Sequence, residues 1–240
     1  MLGIANNTLR DLLPDRLIRF LRELWYNHLD GHAKKSYSQQ GEDVILGYFF
    51  ENQLEGFYVD VGAHHPKRFS NTYLFYKKGW RGMNIDAMPG SMALFDKLRP
   101  RDINLEIAVA DHKQHLTFYV FDDPALSGFA EDLSKKREQE DHYRIVGREQ
   151  IETHTLKEIL DNYLPHGQTI DFLSVDVEGL DMLVLKSNDW ERYRPKIVLV
   201  EAFESALEKI IDGELNAFLK SKGYYLFAKS VTTLIFTLEN

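Results

Sequence analysis

The sequence predicts an α/β fold: a doubly wound, mostly parallel sheet of seven strands that ends in an antiparallel hairpin. Three observations predict it. From residue 56 onward short apolar runs alternate with helical segments, as strands joined by crossover helices do. The last two apolar runs, residues 224–228 and 232–237, lie close together around Lys229-Ser230. Parallel neighbours need a long crossover, so these two must pair antiparallel. Finally, 240 residues suit one large domain that buries roughly 70–75% of its unfolded surface without a covalent staple.

Each element has its own signal. Residues 1–36 read as a helical appendage to a single domain at 37–240. Pro14-Asp15 opens a helix over 15–29 in which Leu17, Ile18, Leu21, Leu24 and Trp25 share a face, with Arg16, Arg19 and Arg22 beside or opposite it. Such a stripe docks on its own domain or forms a homodimer surface; a basic amphipathic helix also suits a membrane. Residues 56–62 form a buried first strand, 69–78 a helix stopped by Gly79, 81–86 a second strand and 91–98 a second helix before Pro100. Residues 103–109 read as a third strand extended by 116–121, followed by a helix at 155–163. The fourth and fifth strands, 169–175 and 196–200, are separated by a helix at 181–186, and a helix over 206–221 precedes the hairpin. Of the 29 residues at 122–150, 13 are charged, which reads either as a solvated loop or as an acceptor-binding lid whose apolar island is Ala125 to Phe129.

Composition removes several chemistries. Lys and Arg number 29 against 37 Asp and Glu, a net charge of −8, which argues against a surface that tracks nucleic acid. With no Cys there is no disulfide, thiolate metal site or thiol nucleophile. The apolar runs are too short for a transmembrane segment, and the N-terminus lacks a signal-peptide core, so the expectation is a cytoplasmic protein.

The turn after the first strand, Val59-Asp60-Val61-Gly62-Ala63-His64-His65-Pro66, is the most informative stretch. Ligands of open parallel sheets bind beyond the carboxyl ends of the strands. A pyrophosphate needs G-x-G-x-x-G, but here one glycine is followed by bulky residues. A ligand without phosphate needs a single close backbone approach, and S-adenosylmethionine fits, with Asp60 near its cationic end. Asp86, closing the second strand, can accept from both ribose hydroxyls, and Ala108-Val109 at the end of the third strand suits an adenine ring. Taken singly, Asp60 or Asp86 reads equally well as a helix cap.

Taken together, the motifs resemble the FkbM-type family of S-adenosylmethionine-dependent methyltransferases. The resemblance rests on Tyr37 to Asp43, Phe57 to Pro66, Ser70-Asn71-Thr72, Gly79 to Gly82, Asn84 to Ala87, Glu106 to Val109 and Asp171 to Gly179. Where many members carry a short Asn-containing turn, this chain has His64-His65-Pro66. The resemblance implies a Rossmann-like methyltransferase sheet and O-methyl transfer, usually to sugars or other secondary metabolites. It also adds Gln39, in a segment folding over the cofactor, and Ala63, Ser70, Asn71 and Ala87 to the cofactor residues.

Asp176 and Glu178 follow the fourth strand and Glu201 the fifth. That layout resembles the divalent-metal sites of catechol-type O-methyltransferases, so Asp176, Glu201 and His65 are the candidate ligands for Mg²⁺ or Mn²⁺. The competing reading has Asp176 and Glu178 hold substrate hydroxyls and cap the next helix, without metal. An alcohol must lose a proton to be methylated, and His64, His65, Asp176 and Glu178 are the candidate catalytic groups. The expected function is O-methylation of a carbohydrate, a nucleotide-linked sugar or surface-glycan precursor. The alternatives are a small non-sugar metabolite as acceptor, a non-catalytic cofactor-binding module, or an NAD-type protein.

Overall fold

The computed structural model describes residues 13–140 and 143–239; residues 1–12 of the expected appendage and 141–142 of the charged insertion lie outside the described residues. The chain divides into two compact units, residues 1–35 and 36–240. In the first, α1 (Asp15–His28) begins after Pro14, with an acid in its first turn and His28 in its last, both favourable to the helix dipole. It stops where the chain turns under Trp25: the indole lies 1.9 Å from where a Cβ on Gly31 would stand. A side chain there would have to displace the indole.

The second unit opens with α2 (Glu42–Phe49), β1 (Phe57–Val61), α3 (Tyr73–Lys77), β2 (Arg81–Asp86), α4 (Met92–Leu98) and β3 (Ile103–Glu106). It continues through β4 (Ala108–Val109), β5 (His115–Phe121), α5 (Glu131–Glu140), β6 (Ile145–His154) and α6 (Leu156–Tyr163). The last elements are β7 (Phe172–Val175), α7 (Asp181–Lys186), β8 (Ile197–Glu201), α8 (Leu207–Ile211), α9 (Glu214–Ser221), β9 (Tyr224–Lys229) and β10 (Thr233–Leu238). The main sheet runs β3-β2-β1-β7-β8-β10-β9. Its first five strands are parallel, and β10 lies antiparallel to both β8 and β9.

β1, β7 and the first four residues of β8 are buried throughout, as central parallel strands covered on both faces must be. Alternate side chains feed two cores. Phe57, Val59, Val61, Leu173 and Val175 pack toward α6 and α7. Tyr58, Phe172, Ile197 and Leu199 pack toward α2 and α3, against Trp80. Trp80 is only 1% exposed, boxed by Phe50, Phe75 and Phe172. No helix among the described residues is long and apolar enough to cross a membrane.

Four expectations change. The single strand expected over 103–109 is two: β3 pairs with β2 in the main sheet, whereas β4 pairs with β6 in a separate three-stranded sheet ordered β4-β6-β5. The break falls at Ile107, whose amide turns back to the Asp86 carbonyl. The insertion at 122–150 is neither wholly loop nor lid. It holds α5 and the first six residues of β6, a strand hidden in sequence because its outward residues form the run Arg148-Glu149-Gln150. The helix expected at 69–78 covers only 73–77, because Phe69 takes a φ of 56° and the Ser70 hydroxyl accepts the amides of Thr72 and Tyr73. The helix over 206–221 is likewise split. Gly213, the N-cap of α9, packs so closely that a Cβ would meet the Lys209 carbonyl at 3.0 Å.

Candidate active site

One cavity, about 270 Å³, lies beyond the carboxyl ends of the parallel strands. The order β2-β1-β7 makes β1 the point from which successive connections run to opposite sides, where such sheets open a crevice. Val61 and Gly62 from β1, Asp86 to Met88 from β2, and Ile107 and Val109 after β3 form one side. Asp176 to Glu178 after β7 and Glu201 and Phe203 from β8 form the other. Gln39 and Thr232 reach it from flanking turns. Those turns are bound together: Gln40 Oε1 accepts the Thr232 amide at 2.8 Å, and Glu42 accepts the Ser230 hydroxyl at 2.6 Å.

The turn after β1 is shaped by its neighbour. Gly62 has φ 83°, and a Cβ on it would fall 1.7 Å from the Asp176 carbonyl oxygen. The glycine that the sequence suggested for close approach to a ligand is required by close approach of β7's own backbone. His64 follows with φ 51° and donates its amide to Asp86 Oδ2 at 2.7 Å. Its Nε2 is buried and has no hydrogen-bond partner. Burial, aided by the Arg68 charge, holds this imidazole below its ordinary pKa, so it stays neutral near neutral pH and can accept a proton.

Asp86 has already accepted two amides, His64 on one oxygen and Met88 on the other at 2.8 Å. A carboxylate has about four acceptor positions, so about two remain for a ligand. Burial raises its pKa against the pull of those amides.

Several expected cofactor residues lie behind or beside the wall. Asp60 is 5% exposed and faces away from the cavity, accepting the Thr72 hydroxyl at 2.9 Å. Burial raises its pKa, and the Arg99 charge opposes the rise. Arg99 itself is fully buried, donating to Asp102, to the Tyr58 hydroxyl and to Thr72. Nothing in the sequence marked it. Ser70 belongs to this buried network, and Asn71 donates to Ser174 Oγ at 3.1 Å, binding the 69–72 turn to β7. Ala63 packs on Met92 and Phe95, and Ala108 is fully buried. The His65 Nδ1 accepts the amides of Lys67 and Arg68 and forms no part of the cavity wall. Gln39, Gly62, Asp86, Ala87 and Val109 do line it, together with His64, Asp176, Glu178 and Glu201.

The far wall is acidic. Oxygens of Asp176, Glu178 and Glu201 lie within 4.8 Å of one another. Asp176 and Glu201 share a side-chain hydrogen bond, and burial first, then the neighbouring carboxylates, drives both pKa values well above the ordinary range. The pair therefore holds a proton near neutral pH. The same oxygen set can accept a hard divalent cation in that proton's place; His65 is not among the clustered donors. Asp181 anchors the loop by accepting the Val177 and Gly179 amides, and burial pushes its pKa up to about 6. Glu178 holds φ 55°.

The insertion closes the wall. Residues 124–129 line the cavity, and a Cβ on Gly128 would approach the Glu178 Cβ at 3.1 Å. Tyr119 and Gly128 exchange both backbone hydrogen bonds, and Phe129 packs edge-on against Phe118 with centroids 4.9 Å apart. The apolar island is thus both pinned and wall-forming. Phe69, Phe118, Phe203 and Thr232 also line the cavity without any signal in the sequence. Among the described residues four non-glycine residues have positive φ, and three of them, His64, Phe69 and Glu178, line this one cavity. Strain of this kind, roughly 1–3 kcal/mol each, collects where function requires it.

A family model described as "Methyltransferase FkbM domain" matches residues 60–226, from the end of β1 into β9. No curated protein matches the chain.

Proposed function

This chain belongs to the FkbM methyltransferase family, and from that premise we propose that it moves the methyl group of S-adenosylmethionine to a hydroxyl of a carbohydrate. The observation that carries the reading is one cavity with Asp86 on one side and the Asp176–Glu178–Glu201 carboxyls on the other. The residues present fit the cofactor. Asp86 keeps acceptor capacity for ribose hydroxyls, Ile107 and Val109 offer an apolar slot for a base, and the carboxylates suit a sulfonium cation. No Lys or Arg lines the cavity among the described residues, and the turn holds a single glycine, so a dinucleotide's phosphates would find no partner there. The same lack favours a glycan-precursor sugar over a nucleotide-linked one as acceptor.

Bound there, S-adenosylmethionine supplies an electrophilic methyl group on sulfur. The protein's task is to align an oxygen with it and to take a proton. Asp176 and Glu178 orient the acceptor hydroxyl. With the pair's single proton resting on Glu201, whose pKa is raised the further of the two, the ionised Asp176 carboxylate would take the hydroxyl proton as the oxygen accepts the methyl group and the sulfur leaves as a neutral thioether. Neutral His64, with its unpartnered Nε2, is the other acceptor within the wall. Residues 124–129 exclude water from that side.

The test is a calorimetric titration with S-adenosylhomocysteine and, separately, NAD, followed by mass spectrometry of glycan precursors after incubation with the cofactor. Binding of the former alone and a methyl mass gain on a sugar are expected; tight NAD binding would refute the reading. Asp176→Ala should abolish turnover and leave S-adenosylhomocysteine binding nearly unchanged. If binding disappears as well, Asp176 belongs to the cofactor pocket instead. The close trio of oxygens favours one second reading, in which a divalent cation orients the acceptor.

A further inference from the structure

We infer that α1 is a peripheral membrane-binding element that lies in the interface of an anionic lipid bilayer. At about 100° per residue, Phe20, Leu24, Leu17, His28, Leu21, Trp25 and Ile18 fall within one continuous arc of roughly 160°. Every other residue of the helix falls on the opposite arc, where Arg16, Arg19 and Arg22 outnumber Asp15 and Glu23. Arg22 borders the apolar arc beside Ile18, and Arg16 flanks it on the Phe20 side. Arginines at both margins let their stems lie along an apolar surface while the guanidinium groups reach lipid phosphates.

Within its own unit the apolar arc is only partly covered, Ile18, Leu24 and Trp25 being half-buried and Trp25 lying over Gly31. No residue of α1 is buried, and Leu17, Phe20 and Leu21 are 41%, 58% and 46% exposed. A helix this polarised leaves its apolar face in water unless something covers it. Charge decides what. Residues 1–35 hold six Lys and Arg against four Asp and Glu, net +2, so the remaining 205 residues carry −10 of the chain's −8. The segment that holds the exposed apolar face thus carries a net positive balance, and the rest of the chain a net negative one. A second copy of the helix is the poorer partner. A helix pair wants a narrow seam with complementary charges at its edges, whereas here both edges carry arginine and would repel in a symmetric pair. Anionic headgroups meet both margins favourably, at a depth suited to Trp25 and Phe20.

The chain carries its own reporter. Of its three tryptophans, Trp80 and Trp190 are 1% and 4% exposed, so a change in fluorescence on binding comes from Trp25. The experiment is flotation of the full chain with vesicles of phosphatidylcholine alone, or with one-third phosphatidylglycerol, at low and high salt. Trp25 emission and sedimentation velocity are recorded in parallel. The expected result is binding to the anionic vesicles only, with a blue shift, and release by salt. Reversing Arg16, Arg19 and Arg22 together to glutamate should weaken that binding about tenfold or more. Leu17→Glu with Leu21→Glu should abolish it while leaving S-adenosylhomocysteine binding intact. No flotation at low salt would overturn the inference, as would binding indifferent to the arginine reversals. A dimer that Leu21→Glu dissolves, without flotation, would overturn it in favour of a second copy.

Discussion

Replacing Gly62 with alanine tests whether the backbone contact between β1 and β7 holds the acidic wall in place. Three costs follow from the geometry. A φ of 83° disfavours an L side chain by about 1–2 kcal/mol. The new Cβ would stand 1.7 Å from the Asp176 carbonyl, whereas ordinary contact starts at 3.4 Å, so β7's end must retreat by well over an ångström. That retreat breaks the 2.9 Å bond from the Asp176 amide to the Val61 carbonyl, worth about 1 kcal/mol. The expected destabilisation is about 3 kcal/mol or more, read from urea unfolding. Displacement of Asp176 and Glu178 by this distance should lower turnover about 100-fold. Gly167→Ala is the control, because its φ is 76° but its Cβ would meet open space. It should cost only the conformational share, about 1–2 kcal/mol, and leave activity intact. If the two variants are equally stable and equally active, the close approach does not position the wall and the reasoning fails.

Three further outcomes are expected. Asp86→Asn leaves one carbonyl oxygen where two carboxylate oxygens served the His64 and Met88 amides, so S-adenosylhomocysteine should bind about tenfold or more weakly by calorimetry, and unchanged affinity would remove Asp86 from the cofactor pocket. Glu201 has its pKa raised by burial and by Asp176, so the stability its protonated form gives is complete below the ordinary carboxylate range and is lost as pH rises toward its raised value. Glu201→Gln should therefore melt at the same temperature as the parent near pH 4 and above it at pH 8, and a difference independent of pH would contradict the shift. Exhaustive chelation should leave turnover unchanged; loss restored by Mg²⁺ or Mn²⁺ would establish the cation reading of the Asp176–Glu178–Glu201 group.

The parts of the site legible in sequence were those that end a strand. Asp86, Asp176 and Glu201 each close an apolar run, and an acid after such a run in a parallel sheet falls on the ligand-bearing rim. What sequence could not supply was which way a side chain points. Along β1 every residue is buried, so Asp60 and Val61 read alike, yet alternation sends Val61 to the cavity and Asp60 to the Arg99 network behind it. The same ambiguity put Ala108 beside Val109 although only Val109 lines the cavity. Residues from loops left no trace at all. Phe69, Phe203 and Thr232 arrive by turns whose geometry depends on partners distant in the chain, such as Gln40 on Thr232. β6 was missed because one of its faces meets water, and its charged outward residues look like a solvated loop.

The wall departs from what folding alone would select. Burial, and then the neighbouring acids, raise the pKa of Asp176 and of Glu201, so the folded chain binds protons that the unfolded chain releases and loses stability at neutral pH. An apolar replacement of similar volume would pack without that loss. Beside them His64, Phe69 and Glu178 hold left-handed backbones that glycine would adopt more readily. Dispersed over the surface, such features would cancel into noise. Gathered on one cavity at the carboxyl ends of five parallel strands, they mark the place where a proton must be taken and an oxygen held, since both tasks need charge and geometry that a stability-optimised core would discard.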